Sequence, residues 1–288
     1  MWWLVGLLGC ASQVQLVELE VNGITRSYYE HVPDTLPAEP ATMLVLHGGG
    51  TTSSRMGRRM GQFTGFSERA DAGNYLAVFP NSQRGNWNDG RTGQGAEHID
   101  DLAYFDALLD DLSRRHGIDR SRVGLAGISN GGFMTVRLLC ERTEDYAGGV
   151  SVAATQPSAL RCKSGEPVTI GWMVGTDDKA VPYEGGQVLG NRGRIKAAEQ
   201  ARDQWVARNG CTGEPRVRAV PDRDPSDHST AEFQVWSDCA GGTKVGFVRL
   251  DGAGHTWPGG SQYLPRFLVG EVNRDLDGAR WIEGFLEF

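Results

Sequence analysis

A serine framed by glycines constrains this chain more than any other feature. Gly127-Ile128-Ser129-Asn130-Gly131 follows an apolar, strand-like run, Arg122-Val123-Gly124-Leu125-Ala126. It precedes a helix-like one, Phe133-Met134-Thr135-Val136-Arg137-Leu138-Leu139. A serine on so sharp a strand-to-helix turn has a strained backbone, and glycines two positions either side relieve the crowding. The turn lifts the hydroxyl above the sheet and sets it at a helix N-terminus. Glycine is abundant here, 40 of 288 residues, so the pentapeptide alone also fits a plain connecting loop. The remaining parts of a serine-nucleophile site decide between the two.

A serine hydroxyl needs a general base, and the base needs an orienting acid. In the strand-elbow-helix arrangement the chain order is serine, acid, histidine. Of six histidines, only His228 and His255 follow Ser129. His228 lies in a polar run that reads as a solvated loop. His255 lies in Gly252-Ala253-Gly254-His255-Thr256-Trp257, just after an apolar strand candidate at 245–250, which is where a base belongs. The acid should end another strand. The continuous apolar run at 168–174 leads into Gly175-Thr176-Asp177-Asp178, and spacing alone does not choose between the two aspartates. An oxyanion requires preorganised N–H donors. Met43-Leu44-Val45-Leu46-His47-Gly48-Gly49-Gly50 supplies a glycine-rich loop after an early strand, and the N–H of Asn130, the residue after the nucleophile, is the second donor expected. His47, Trp87 and Trp257 are expected to wall a substrate pocket, the two tryptophans against an acyl or aryl group.

With these pieces in order, the chain resembles the esterases related to extracellular polyhydroxybutyrate depolymerases and feruloyl esterases, within the α/β-hydrolase fold. The resemblance rests on Leu46-His47-Gly48-Gly49-Gly50, Phe79-Pro80-Asn81-Ser82, Trp87-Asn88 and Asp100-Asp101-Leu102-Ala103-Tyr104-Phe105. It rests equally on the serine motif extended to Met134, on Gly175-Thr176-Asp177-Asp178 followed by Val181-Pro182-Tyr183, and on Gly254-His255-Thr256-Trp257-Pro258-Gly259. The resemblance implies that Asp178 is the acid and that the first oxyanion N–H belongs to Gly49. Polymer depolymerases usually carry a separate polymer-binding domain, and the chain runs only to Phe288, so soluble short-chain or aryl esters are the substrates expected.

Strand-like segments at 43–46, 75–79, 123–128 and 168–174 alternate with helical patterns, implying a mainly parallel central sheet with helices on both faces. Residues 14–21 and 24–32 read as a hairpin about Asn22-Gly23. A helix capped by Asp100 or Asp101 carries an apolar stripe of Leu102, Phe105, Leu108, Leu109 and Leu112, with Asp106, Asp110 and Asp111 on its solvated face. Further helices are expected at 193–209 and 275–288. Asn273-x-Asp275-x-Asp277-Gly278 copies the start of a calcium loop, but position twelve is Gly284 where a glutamate is required. These acids read as favouring a helix N-terminus, and neither metal nor cofactor is expected.

Residues 1–12 form a lipoprotein-like signal segment, with Cys10 as its candidate lipidation site and possible membrane anchor. Residues 13–288 are read as one catalytic domain. Setting Cys10 aside leaves four cysteines, which admit three pairings. Cys140 ends the helix after the nucleophile and Cys162 lies in the next loop, while Cys211 and Cys239 flank one polar segment. The pairs expected are Cys140–Cys162 and Cys211–Cys239, in an oxidising compartment at the cell envelope or outside it. A net charge of −7 and the lack of any basic run argue against a nucleic-acid partner. The expectation is a monomeric, exported serine esterase acting on a small or oligomeric ester. An acyltransferase with the same triad and a non-catalytic envelope binding protein are the alternatives.

Overall fold

The structure, a computed structural model, describes residues 14–50, 56–162 and 165–288. The signal-like segment and Cys10 lie outside the described residues. The hairpin is β1 (Gln15–Val21) and β2 (Ile24–His31), with Val21 opposite Ile24 and positive φ at both Asn22 and Gly23. Then come β3 (Thr42–Leu46), α1 (Met56–Thr64), α2 (Phe66–Gly73), β4 (Leu76–Pro80), α3 (Asp101–His116), β5 (Val123–Ile128), α4 (Asn130–Glu141), β6 (Gly148–Val152) and β7 (Thr169–Gly175). A small two-stranded pair, β8 (Gly186–Gln187) and β9 (Arg194–Ile195), precedes α5 (Ala198–Arg208), β10 (Arg216–Ala219), β11 (Thr230–Trp236), β12 (Val245–Asp251), α6 (Arg266–Val269) and α7 (Gly278–Leu286).

Ten strands make one sheet in the order β1-β2-β4-β3-β5-β6-β7-β12-β11-β10. The six from β4 to β12 run parallel, and antiparallel pairs close both edges. One core packs α3, α4 and α5 on one face, with Leu108, Leu138 and Trp205 buried. The other packs α1, α2 and α7 on the opposite face, with Met60, Phe66 and Ile282 buried. Helices on both faces explain why β3, β5 and β7 are apolar without alternation: neither side meets water. Strand order reverses between β3 and β5, so the loops leaving their carboxyl ends part and open a crevice.

Some local expectations needed correction. The helix expected from residue 193 begins only at Ala198, because residues 194 and 195 pair with β8 instead. The last helix begins at Gly278, where Asp277 accepts a hydrogen bond from the Arg280 N–H as its cap. Asp275 turns elsewhere and accepts from the backbone N–H groups of Arg223 and Asp224. Asp111 is not on a solvated face. It is buried against β2 and accepts a 2.7 Å hydrogen bond from the Tyr28 hydroxyl. Asp106 and Asp110 do lie outward, paired with Arg142 and Arg120. Both expected disulfides, Cys140–Cys162 and Cys211–Cys239, are formed.

Candidate active site

β5 delivers Ser129 to the turn before α4, with φ 57° and ψ −121°, a region that L-residues seldom occupy. The serine N–H donates to the Val152 carbonyl at 2.8 Å, and its own carbonyl accepts from Phe133 N–H at 3.0 Å. These bonds to β6 and α4 hold the strain in place. The flanking glycines are sterically required. A Cβ on Gly127 would collide with the Gly131 carbonyl, and one on Gly131 with the carbonyls of Leu46 and His47.

Two other loops complete the constellation. His255, on the loop after β12, places Nε2 2.9 Å from Ser129 Oγ and Nδ1 2.7 Å from Asp178 Oδ2. With the carboxylate accepting at Nδ1, the ring carries its proton there. Nε2 is then left to accept from the serine hydroxyl. Asp178 follows β7, and its other oxygen accepts from the N–H groups of Ala180 and Val181, both at 2.8 Å. Those two bonds fix the carboxylate's direction. Asp177 is exposed and takes no part. His228 is an exposed loop residue, as its polar surroundings suggested. The imidazole itself is pinned through its backbone: His255 N–H donates to Val269 O at 2.5 Å, and its carbonyl accepts from the Tyr263 hydroxyl at 2.7 Å.

The loop after β3 runs beside Ser129. A Cβ on Gly48 would stand 3.4 Å from Ser129 Cβ, and one on Gly49 would stand 3.1 Å from Asn130 Cβ and overlap Asn86 Oδ1. Only glycine lets the backbone pass this close. Asn130 opens α4, so its N–H has no acceptor within the helix, and the helix dipole adds positive potential at the same place. The Gly49 and Asn130 backbones are therefore neighbours at a point that favours negative charge.

The pocket-wall expectation fails for all three residues. Trp87 and Trp257 are completely buried. Trp87 packs on Tyr104 and Phe105 behind the loop, where its indole N–H donates to the His47 carbonyl at 3.0 Å. Trp257 packs on Phe63 and Phe66 in the second core. His47 is buried too: Nδ1–H donates to Gly48 O at 2.7 Å, and Nε2 accepts from Ser82 N–H at 3.0 Å. Burial pushes its pKa down to about 4, against the opposing pull of that Gly48 hydrogen bond. A large aromatic near a catalytic loop in sequence is as useful under the loop as in front of it, and sequence does not tell which.

Sequence reasoning missed the support beneath Asn130. Its side chain is turned inward: Nδ2 donates to Asp89 Oδ2 at 2.6 Å, and Oδ1 accepts from Trp87 N–H at 2.7 Å. Asp89 is fully buried and also holds Arg91 at 2.7 Å and Gln94 at 2.6 Å. Asn86 accepts from Gly50 N–H at 3.1 Å on the other side of the loop. The available signal was the density of polar residues in Asn86-Trp87-Asn88-Asp89-Gly90-Arg91, a glycine-rich loop with an acid and a base two residues apart. Among the described residues no group of three or more His, Cys, Asp or Glu is arranged to hold a metal ion.

Comparisons with known proteins find relatives that are named as esterases. Residues 84–186 match the model of the prolyl oligopeptidase family. NocK of Nocardia uniformis subsp. tsuyamanensis, named as an esterase, is 27% identical over 93% of this chain and 81% of its own length. Feruloyl esterase B of Piromyces equi is 29% identical over 59% of this chain, which spans 31% of that longer protein. Among solved structures, the acetyl xylan esterase from Aspergillus awamori superposes with a TM-score of 0.58 at 15% identity, covering 84% of this chain and 94% of that one. That structure shares the fold. The chain is a carboxylic-ester hydrolase of the α/β-hydrolase fold.

Proposed function

We propose that this hydrolase works through an acyl-enzyme on Ser129. The carrying observation is His255 spanning Ser129 Oγ and Asp178 Oδ2 at 2.9 and 2.7 Å. Ser129 Oγ attacks the ester carbonyl carbon while His255 Nε2 takes the hydroxyl proton. Asp178 holds the ring and stabilises the imidazolium. The Gly49 and Asn130 N–H groups receive the oxyanion, and His255 returns the proton to the departing alcohol. Water then repeats the sequence on the acyl-enzyme and releases the acid. Nothing in the cycle calls for a metal or cofactor.

The substrate class proposed is the short-chain hydroxyalkanoate, acetyl or feruloyl ester. The relative named as a feruloyl esterase supports the last of these. Two disulfides support export to an oxidising compartment. Cys10 as a lipid attachment site belongs to the same reading, and labelling with a fatty-acid probe that survives Cys10→Ser would remove it.

The deciding experiment compares p-nitrophenyl acetate, butyrate and octanoate hydrolysis by the wild type and Ser129→Ala. A fall of at least about a thousand-fold in kcat is expected. Equal rates in both proteins would overturn the assignment. A fluorophosphonate probe should label wild type and not Ser129→Ala.

A further inference from the structure

Three segments that meet beside the glycine-rich loop after β3 hold five basic residues and no acid. The segments are 90–96, 155–162 and 185–198, and the bases are Arg91, Arg161, Arg192, Arg194 and Lys196. Backbone contacts join them. Ser158 N–H donates to the Arg194 carbonyl at 2.9 Å, Lys196 N–H to the Gln156 carbonyl at 2.9 Å, and Arg91 Nη1 to the Arg192 carbonyl at 3.3 Å. Asp89 neutralises Arg91. Among the described residues, none of the other four pairs with a carboxylate. Arg161 and Lys196 donate only to neutral oxygens. Partial burial pushes the Lys196 ammonium down, and the Arg161 charge pushes it the same way. The chain as a whole has 36 acids against 29 Lys and Arg, so this excess of positive charge is local and is assembled by the fold.

Arg192 carries the charge to the site. It lies in the turn between β8 and β9, where Gly190, Asn191 and Gly193 all take positive φ. The turn is seated on the facing loop. A Cβ on Gly193 would stand 2.8 Å from the Thr92 carbonyl, and one on Gly93 2.8 Å from the Asn191 carbonyl. The arginine that holds the Arg192 carbonyl is Arg91, which Asp89 links to Asn130. The exposed Arg192 side chain runs over Gly190 and reaches Gly50, with Nη1 3.9 Å from the place a Cβ on Gly50 would take. Gly50 is itself exposed and adjoins Gly49, the proposed oxyanion donor, while Gly48 stands against Ser129. Among the described residues the Arg192 guanidinium makes no hydrogen bond and no ion pair. Glu97, the acid just beyond the facing loop, accepts from Gln94 N–H at 2.9 Å instead. A guanidinium held in place and left unpaired presents a planar fork of donors that matches a carboxylate.

We propose that Arg192 is a specificity-determining residue that binds a carboxylate on the substrate, so that esters with a negative charge close to the scissile bond are preferred. Arg161, Arg194 and Lys196 draw such esters toward the site through their field. The proposal rests on the Ser129 assignment and narrows its substrate from a short ester of any charge to an anionic one.

The test uses two pairs of esters that differ in one charge. p-Acetoxybenzoate and its methyl ester place the carboxylate on the alcohol side; mono-p-nitrophenyl adipate and p-nitrophenyl hexanoate place it on the acyl side. Each kcat/KM ratio, anionic over neutral, is taken within one enzyme, so a general loss of activity cancels. In Arg192→Gln the ratio should fall about three- to ten-fold in the pair whose carboxylate reaches the arginine, mainly through KM, as one charge-assisted contact at the surface predicts. Arg192→Lys should keep part of the preference, and Arg192→Glu should drive the ratio below that of Arg192→Gln. Raising NaCl from about 0.05 M to about 0.5 M should erode the wild-type preference and leave the Arg192→Gln ratio nearly constant. Ratios in both pairs that are the same for wild type and Arg192→Gln, or a difference that survives high salt, would overturn the proposal. If Ser129→Ala retained turnover, the nucleophile assignment would fail by itself, and the charge ratios would still decide the role of Arg192.

Discussion

Two buried networks in this protein use the same chemistry in different surroundings. In one, Asp89 holds Arg91, Gln94 and Asn130 beneath the oxyanion loop. In the other, Glu30 of β2 holds Arg115 at 2.5 Å and His116 at 2.9 Å at the end of α3, next to the Tyr28–Asp111 hydrogen bond. Both carboxylates are sealed from water, but their arginines are not equivalent. The Arg91 side chain is 3% exposed and Arg115 is 34% exposed. Water can take over much of what Arg115 would lose, whereas Arg91 would keep only the neutral acceptors Gln94 Oε1 and the Arg192 carbonyl. The first network ends on Asn130, the residue after Ser129; the second joins a helix to the sheet. The comparison teaches that a buried ion pair reports on function through what it touches, since its burial and geometry look alike in both places.

The largest effect should follow Asp89→Ala. It strands the Arg91 charge in the interior, a loss of about 3–5 kcal/mol, and it frees the Asn130 side chain. Denaturant unfolding should show that loss. A kcat about ten- to a hundred-fold lower with little change in KM should accompany it, because the proposed oxyanion donors would lose their positions. An unchanged kcat would erase the distinction between the networks.

The disulfides offer the same contrast through covalent bonds. Cys140 and Cys162 are 22 residues apart, Cys211 and Cys239 are 28, so loop closure predicts about 3 kcal/mol for each. Leu160, close to Cys162, packs near Gly90 in the Asp89 loop, whereas Cys239 packs near the far edge of the sheet after β11. Replacing either pair by alanine should lower the stability equally. Only Cys140→Ala/Cys162→Ala should also lower kcat.

pH separates the glycine-rich loop after β3 from the Glu30 network next. The fold disfavours protonated His47, whose pKa of about 4 lies below its ordinary 6.5. Its contribution is therefore complete above pH 6.5 and is lost as pH falls toward 4, amounting to about 2 kcal/mol by pH 5. Burial pushes Glu30 up, but the hydrogen bonds from His116 and Arg115 outweigh it and hold the group below 4.5. Its contribution is lost only as pH drops through that depressed value. Unfolding free energies measured from pH 7 to pH 4 should show the earlier loss in wild type and not in His47→Gln.

The smallest effect belongs to Glu30→Gln. With Arg115 open to solvent, the change should cost only about 1–2 kcal/mol at pH 7. Steady-state kinetics at a temperature well below the transition should be unaltered. A drop in kcat there would mean that the second network also reaches the site.

Much of the fold was legible because parallel strands buried on both faces must be apolar throughout, as 123–128 and 168–174 are. β6 was not legible. Gly148-Gly149 carries no pattern, and its glycines are demanded by Thr169 on the neighbouring strand and by Leu125 and Thr135 across it, contacts that exist only after packing. β10 and β11 were hidden by polar, partly exposed side chains on an edge with one wet face. At the site, Ser129 and His255 were legible because the elbow glycines and the late glycine-rich loop each have a local cause. The buried positions of His47, Trp87 and Trp257 were not, since both faces of a loop are written in the same residue types.

The sequence by itself determined the strand-elbow-helix unit and the order in which Ser129, the aspartate pair and His255 follow their strands, because each follows from steric rules acting over a few residues; it narrowed four cysteines to three pairings, of which the structure forms the expected one. Spacing alone left Asp177 and Asp178 open and the family resemblance implied Asp178; the tertiary structure gives the physical difference, since only Asp178 turns its carboxylate toward a histidine 77 residues away. The tertiary structure also decided which polar residues support the oxyanion loop. Those are questions of which side of a surface a residue occupies, and a surface exists only once the chain has closed on itself.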